Sequence, residues 1–362
     1  NVGAAAPASA APAAESEAAL PAGVTALLGD SEERDVRIET GTVVAVFTNR
    51  GARLKSWRLK HYLDARHEPL ELVVRGATSQ PLPFSIQVAD AGQTTQLNNA
   101  LFVATRPAGD SVPAVRFEYR DSAGLRASKE FALAQSGYTV QFTGAVQTAD
   151  RAAPFTVQWG PGLGAGDGES GRYGVQPGGL LMASGKVQRL AQKDVAKQPA
   201  YTDDVKYAGV DDHYFLTAAI DVGRAAVTFQ PVTVPPPAGE KTPLQFMAYS
   251  IAPATASAPL KFYVGPKDFD ELAAVDRDLV RAINFGIWAF LIVPLLRSLN
   301  WIHSIVGNYG WSIVILTILI NALMFPLRHK SVVSMRKMQE IQPEAKAIQD
   351  RYAHLKATDP AK

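Results

Sequence analysis

Between residues 35 and 264, apolar residues return at every second position in a long series of short runs. TVVAVFTN (42–49), PFSIQVAD (83–90), AVRFEYRD (114–121), YTVQFTGAVQ (138–147), PFTVQWG (154–160), HYFLTAAIDV (213–222), AAVTFQPVTV (225–234) and PLQFMAYSIA (243–252) are rich in Val, Phe, Tyr and Thr. A period of two is the strand period, and these residue types suit a half-buried pleat. Gly, Pro, Asp and Asn punctuate the gaps. No amphipathic helix is visible between the runs, so the pattern predicts one large antiparallel β-sandwich over residues 35–265.

At Pro266 the period becomes helical. KDFDELAAVDRDLVRAINFG spaces Leu272, Val275, Leu279 and Ile283 three and four apart. Asp268 is the expected N-cap, with Glu271 closing a capping box. In the following segment, INFGIWAFLIVPLLRSLNWIHSIVGN, the continuous apolar core from Ile287 to Leu296 is too short to cross a bilayer. Arg297, Asn300 and Ser304 share one helical face, and Trp288 and Trp301 suit the headgroup level. Residues 266–308 therefore read as a linker helix and then a helix lying in the membrane interface. The other reading is a full span with Arg297 inside it, which is costly.

Tyr309 to Leu327 is apolar except for Ser312, Thr317 and Asn321. At 1.5 Å per residue it spans roughly 28 Å, close to the hydrocarbon thickness. Tyr309 and Trp311 mark one interface; Arg328, His329 and Lys330 mark the other. Residues 328–362 form a basic arm with Arg336, Lys337, Lys346, Arg351 and Lys356, diluted by Glu340, Glu344, Asp350 and Asp359. The positive-inside rule places this arm in the cytoplasm. A single crossing then puts the β domain in the periplasm of a double-membrane bacterium.

Composition narrows the picture further. The chain has 362 residues, 47% of them hydrophobic, and a net charge of +2. This is apolar for one soluble domain and too polar for a many-helix membrane protein. Nothing global suggests nucleic acid. The absence of cysteine excludes disulfides, thiolate metal sites and Cys nucleophiles. Residues 1–34 are rich in Ala, Pro, Glu and Ser and read as a disordered tether. The chain opens on Asn rather than Met and ends in ATDPAK, so it reads as a fragment of a longer protein, with an upstream anchor.

The candidate chemistry lies on the span. Thr317 and Asn321 are four residues apart on one face, and Arg328 falls about 20° from Asn321. An unpaired amide in hydrocarbon costs several kcal/mol. This stripe should therefore face either a neighbouring helix, as a hydrogen bond holding a bundle together, or a water-filled cavity. Beyond the span, Met335, Met338, Gln342, Ala345, Ile348, Tyr352 and Leu355 trace a semi-apolar strip. It suits either a surface for varied partners or the core face of a helical hairpin. Pro343 is expected to kink this helix or start a new one.

Three stretches, KFYVGPKDFDEL, LNWIHSIVGNYGWSIVILTILI and FPLRHKSVVSMRKMQEIQPEAKAIQDRY, resemble the YidC family of bacterial membrane protein insertases. The match is dense from Phe262 to Tyr352. It extends more weakly through FTNRGARLKSWRLKHYLD, WGPGLG and DDHYFLTAAID. The resemblance implies a mutarotase-like β-supersandwich in the periplasm, a periplasmic interfacial helix, the family's second transmembrane helix at 309–327, and the first arm of a cytoplasmic hairpin. It implies insertion and folding of inner-membrane proteins, alone or with the Sec translocon, through a hydrophilic groove. Thr317, Asn321, Met324, Phe325 and Arg328 would line that groove, with Met324 and Phe325 on its apolar side. Met335, Arg336, Lys337, Met338 and Pro343 would belong to the arm. The partners implied are nascent membrane proteins and the bilayer, and for the arm ribosome or targeting factors, with no nucleic-acid specificity. No cofactor or metal is implied. One position departs from the family: many members carry Arg where this chain has Asn321. Asn offers hydrogen bonds but no charge, so an attraction of client carboxylates does not carry over to this position.

Two other classes compete. A sugar-modifying or carbohydrate-binding protein would use a His and a carboxylate as acid and base: His213 beside Asp211 and Asp212, or His61 near Asp64. A membrane-tethered periplasmic chaperone or scaffold would use the β domain itself. The Gly-rich stretch GPGLGAGDGESG (160–171) lacks the Lys and the following helix of a phosphate loop, and reads as a plain loop.

Overall fold

The structure, a computed structural model, describes residues 24–64, 66–74, 81–107, 112–163, 178–195, 200–234, 243–255 and 258–352. The chain divides into two compact units, Asn1–Ile283 and Asn284–Lys362.

The first unit is built from three antiparallel sheets. The largest has 11 strands. Its path runs from Ala26–Leu28 through Ala114–Asp121, Leu125–Leu133, Thr139–Thr148, Leu260–Pro266, Phe215–Gly223, Val205–Asp211 and Gly178–Ala183 to Lys186–Leu190. A second sheet contains Ala226–Val234, Leu244–Ala252 and Thr156–Trp159, and a third contains Asp35–Glu39, Val43–Thr48 and Arg53–Leu63. The predicted alternation is realised as burial. Along Leu125–Leu133, residues 125, 127, 129, 131 and 133 point inward.

Aromatic rings join the sheets into one core. Phe84 lies 5.0 Å from Phe131, 5.4 Å from Phe142, 5.4 Å from Trp159 and 5.0 Å from Phe262. Phe47 of the third sheet lies 4.5 Å from Phe131. The Trp57 indole donates across the core to the Val264 carbonyl at 2.9 Å. Each such ring adds roughly 1.5–3 kcal/mol by leaving water.

One inward position holds a lysine. Lys129 is fully buried, and its Nζ donates to the carbonyls of Gly51 at 2.6 Å, Phe84 at 2.8 Å and Ala52 at 3.3 Å. Its three donors meet three acceptors. Those carbonyls belong to residues held at positive φ (68°, 66° and 47°), where the chain turns tightly and its main-chain oxygens face inward. Burial and, after it, the Arg53 charge push the Lys129 amine well below the ordinary lysine value.

Three expectations need correction here. The disordered tether does not extend to residue 34: Ala26–Leu28 pairs with Ala114–Asp121, and buried Asn49 holds the next turn through Arg34 N at 2.7 Å and Glu32 O at 2.9 Å. Residues 1–23 lie outside the described residues. The β-runs are interrupted by a helix, Ala91–Asn99, capped by Asp90 through Gln93 N at 2.7 Å. Its sequence AGQTTQLNN buries only Leu97 and Asn98, so no apolar period announced it. Finally, the linker helix is two pieces, Phe269–Val275 and a 3-10 turn Leu279–Ala282. Asp268 caps the first piece by accepting from Asp270 N and Glu271 N. The break at Asp276 lets Leu272, Leu279 and Ala282 all reach the β core.

The second unit is helical. Ala289–Val306 ends at Gly307, whose left-handed φ of 70° closes the helix. Asn308 then starts Tyr309–Tyr352, a helix of 44 residues. At 1.5 Å per residue that is about 66 Å, roughly twice a bilayer's hydrocarbon. Pro326 and Pro343 both lie inside this helix. No new helix starts at Pro343, because the flanking Met, Gln, Glu, Ala and Lys residues favour continuation.

Candidate functional site

Among the described residues, the helix beginning at Tyr309 is the one long and apolar enough to cross a membrane; Phe290–Val306 is apolar but shorter. The two helices of this unit pack against each other. Ser312 is buried on the long helix and Ile315, Leu316 and Ile320 are half-buried, spaced as one face. Ile302 is buried on the shorter helix. Asn308 builds the corner by accepting from Gly310 N at 2.8 Å and Trp311 N at 3.3 Å. Gly307 and Asn308 are turn-forming residues, so this corner was legible in the sequence without having been singled out.

The polar stripe lies on another face. Counting 100° per residue, Asn321 sits about 140° around the helix from Leu316 and Arg328 about 120° from it. Thr317, Asn321 and Arg328 are exposed. Their bonds run along their own helix: Thr317 Oγ1 donates to Ile313 O at 2.7 Å, Asn321 Nδ2 donates to Thr317 O at 2.8 Å, and an Arg328 guanidinium nitrogen donates to Asn321 Oδ1 at 3.4 Å. The structure thus brings these three predicted residues into one continuous string. The string leaves one N–H and one lone pair of the amide free, and most of the Arg328 donors. Met324 is 47% exposed and Phe325 67%, and they flank the stripe on either side. Phe325 stacks on His329 with ring centroids 6.1 Å apart.

The four aromatic residues expected at the membrane interface, Trp288, Trp301, Tyr309 and Trp311, are all exposed. Tyr309 also stacks on His303 at 3.7 Å. On the arm, Met335, Arg336, Lys337, Met338 and Pro343 are exposed.

Asp211, Asp212 and Asp64, three of the acid–base candidates of the β unit, hold structural contacts. Asp211 is buried and pairs with Arg189 at 2.7 Å and Lys267 at 3.0 Å. Asp212 accepts from Tyr214 N at 2.7 Å and Phe215 N at 2.6 Å, closing a turn. Burial pushes its carboxyl up. His213 meets only the Tyr214 ring, at 4.5 Å, among the contacts seen. Asp64 accepts from Arg66 N and Glu68 N, both at 2.9 Å, and so shapes a turn. Residues 164–171 of the Gly-rich stretch lie outside the described residues.

Comparison with known proteins matches residues 35–298 to the YidC periplasmic domain and residues 301–362 to the 60Kd inner membrane protein family. The membrane protein insertase YidC of Pelobacter propionicus is 29% identical over 350 residues, covering 91% of this chain and 62% of that protein. Its namesake from Bordetella avium is 28% identical over 337 residues, covering 89% and 59%. The chain thus spans about three fifths of the relatives it matches. YidC from Thermotoga maritima overlaps in structure with a TM-score of 0.37 and 11% identity, covering 92% of this chain and 82% of that one. A galactose mutarotase-like protein from Lactobacillus casei overlaps with a TM-score of 0.39 and 14% identity, covering 64% and 100%. Overlaps at that level imply nothing about chemistry.

Proposed function

The chain belongs to the YidC family, and from that premise we propose that it is the client-handling part of a membrane protein insertase of the bacterial inner membrane. The observation that carries this reading is the Thr317–Asn321–Arg328 string. It lies on the spanning helix, away from the face that packs on Ala289–Val306. An amide kept only to glue these two helices together would sit on the packed face.

The domain plan accompanying this reading has the β unit in the periplasm, Ala289–Val306 in the outer interface, a crossing that begins at Tyr309, and the basic arm in the cytoplasm. Trp288, Trp301, Tyr309 and Trp311 anchor the outer interface, and Arg328 marks the inner one. The stripe forms one wall of a hydrated groove that opens towards the cytoplasm. A client's polar flank enters this groove and keeps hydrogen-bonding partners, which avoids the cost of bare amides and charges in hydrocarbon. Its apolar segment moves past Met324 and Phe325 into lipid, gaining about 0.8 kcal/mol per buried CH₂. Transfer free energy drives the step, with no cofactor. Nascent membrane proteins are the clients. The arm, through Met335, Arg336, Lys337 and Met338, meets ribosome or targeting factors, and the Sec translocon works beside it for some clients.

Photo-crosslinking from single positions to a nascent membrane protein tests the reading. Positions 317 and 321 should capture the client strongly, and position 319, about 160° away from Asn321, weakly. Equal capture from all three would remove the groove.

A further inference from the structure

We propose that the β unit carries a binding site for a primary ammonium group, of the kind a lysine side chain presents, formed by the Glu271 carboxylate and the hydroxyls of Tyr62 and Tyr138. The site goes beyond the insertase reading. It lies wholly within the β unit and is tested independently of the spanning helix.

Three strand ends meet where Leu260–Pro266 runs into the helix Phe269–Val275. Val264 N donates to Tyr138 O at 2.8 Å, and Lys267 N donates to Tyr214 O at 2.7 Å. Tyr62, from the third sheet, meets Phe215 edge to face at 5.7 Å, and Tyr138 meets Tyr263 at 6.3 Å. Asp268 and Glu271 open the helix at this junction.

Glu271 does not close the capping box expected of it. Asp268 caps the helix from its own side chain, while Glu271 Oε2 stands 3.8 Å from the point that a Cβ on Gly137, next to Tyr138, would occupy. Among the described residues, no hydrogen-bond donor reaches the Glu271 carboxylate, and the hydroxyls of Tyr62 and Tyr138 have no hydrogen-bond partner. Tyr138 is only 3% exposed, yet its hydroxyl is not sealed into the core as that of Tyr207 is. The three groups also feel one another. After burial, Tyr62, Glu271 and Asp268 push the Tyr138 hydroxyl up to about 12. Burial and then Asp268 and Glu271 raise the hydroxyl of Tyr62.

This arrangement suits a cation with hydrogens to give. An ammonium has three N–H donors and no acceptor, so one carboxylate and two hydroxyl oxygens match it donor for donor. Three carbonyls match Lys129 in the same way. A guanidinium is planar and built for parallel acceptors, and a quaternary ammonium has no N–H. The lysines adjoining the site in sequence are committed elsewhere: Lys60 to Glu39 at 2.7 Å and Lys267 to Asp211 at 3.0 Å. Burial and then Asp268 raise the Glu271 carboxyl, and His61, which forms no ion pair with it among the described residues, only partly offsets them.

The test uses the full chain in lipid nanodiscs, with isotope-labelled tyrosine followed by NMR. Tyr62→Phe and Tyr138→Phe assign the two ring signals. Nα-acetyl-lysine methylamide is titrated in, and separately its arginine counterpart and choline. The signals of Tyr62 and Tyr138 should shift and saturate at about 1–10 mM of the lysine derivative. Glu271→Gln, which keeps the shape and removes the charge, should weaken that response about tenfold. Glu118→Gln, on the strand Ala114–Asp121, should leave it unchanged, and the remaining tyrosine signals show that each variant is folded. No shift at Tyr62 and Tyr138 up to about 50 mM would overturn the site, as would a response that survives Glu271→Gln or is weakened equally by Glu118→Gln. An equal response to choline or to the arginine derivative would overturn the choice of a primary ammonium.

Discussion

Lys129 in the β unit and Asn321 in the long helix are both polar residues set into apolar runs, and the two regions treat them in opposite ways. The Lys129 ammonium has all three donors consumed by main-chain carbonyls inside a closed core. Nothing outside can reach it. Asn321 is bonded only to its own helix, through Thr317 O and Arg328, and its outer edge stays open. A buried polar group with every valence filled internally specifies a fold. A polar group that is merely prevented from being destitute, on an otherwise apolar exposed face, is available to something that passes. On the proposed reading, the β unit gives support and the helix handles clients.

Four measurements break or sharpen that contrast. The largest effect is expected from Lys129→Met, which strands three inward carbonyls. It should cost the β unit roughly 3 kcal/mol or more, read as faster hydrogen exchange in peptides over Leu125–Leu133. A cost below about 1 kcal/mol would mean the lysine is not holding its turns. Asn321→Leu should do the reverse, leaving exchange in the β unit unchanged while slowing insertion of a reporter client several-fold, about 1 kcal/mol in the limiting step. Unchanged insertion would reduce the amide to an inert feature of the helix. A smaller effect should follow Asp268→Ala, which removes the cap of Phe269–Val275 at about 1 kcal/mol. It should appear as exchange confined to residues 269–283, since Leu272 and Leu279 keep the segment on the core.

The smallest effect is a dependence on pH. The Lys129 amine titrates below its unfolded value of 10.5, so between the two values the unfolded chain binds more protons than the folded one. Its contribution to stability therefore rises with pH across that window and levels off near the unfolded value. The stability difference between the natural chain and Lys129→Met should widen as pH is raised towards 10. A narrowing would contradict the sign. Above that, Tyr138 and Tyr207, each pushed up to about 12 mainly by burial, should lower the stability of both proteins together.

Much of this was legible in the sequence, and the exceptions have physical causes. Period-two burial marked Val43–Thr48, Ala114–Asp121 and Thr139–Thr148, because a strand with one face in a core must alternate. The spanning helix and its stripe followed from length and from 100° spacing. What escaped was whatever depends on partners distant in sequence. Lys129 looks like any surface lysine until Gly51 and Phe84 bring their carbonyls to it. Ala91–Asn99 escaped because a polar helix that buries two residues has no apolar period. The strand Ala26–Leu28 sits at the end of an Ala/Pro-rich stretch, and pairing with Ala114–Asp121 overrides its composition. Pro343, expected to kink the helix or start a new one, starts none, because its helix-favouring neighbours carry the helix through.

The account's central claim is that the Asn321 face of the helix is wet while the rest of the span is dry. Single cysteines at positions 317, 321, 319 and 323 in the otherwise cysteine-free chain, exposed in the membrane to a water-soluble maleimide from the cytoplasmic side, test it directly. The account predicts rapid labelling at 317 and 321 and little at 319 and 323. Equal rates at all four positions, or protection at 321, would contradict it.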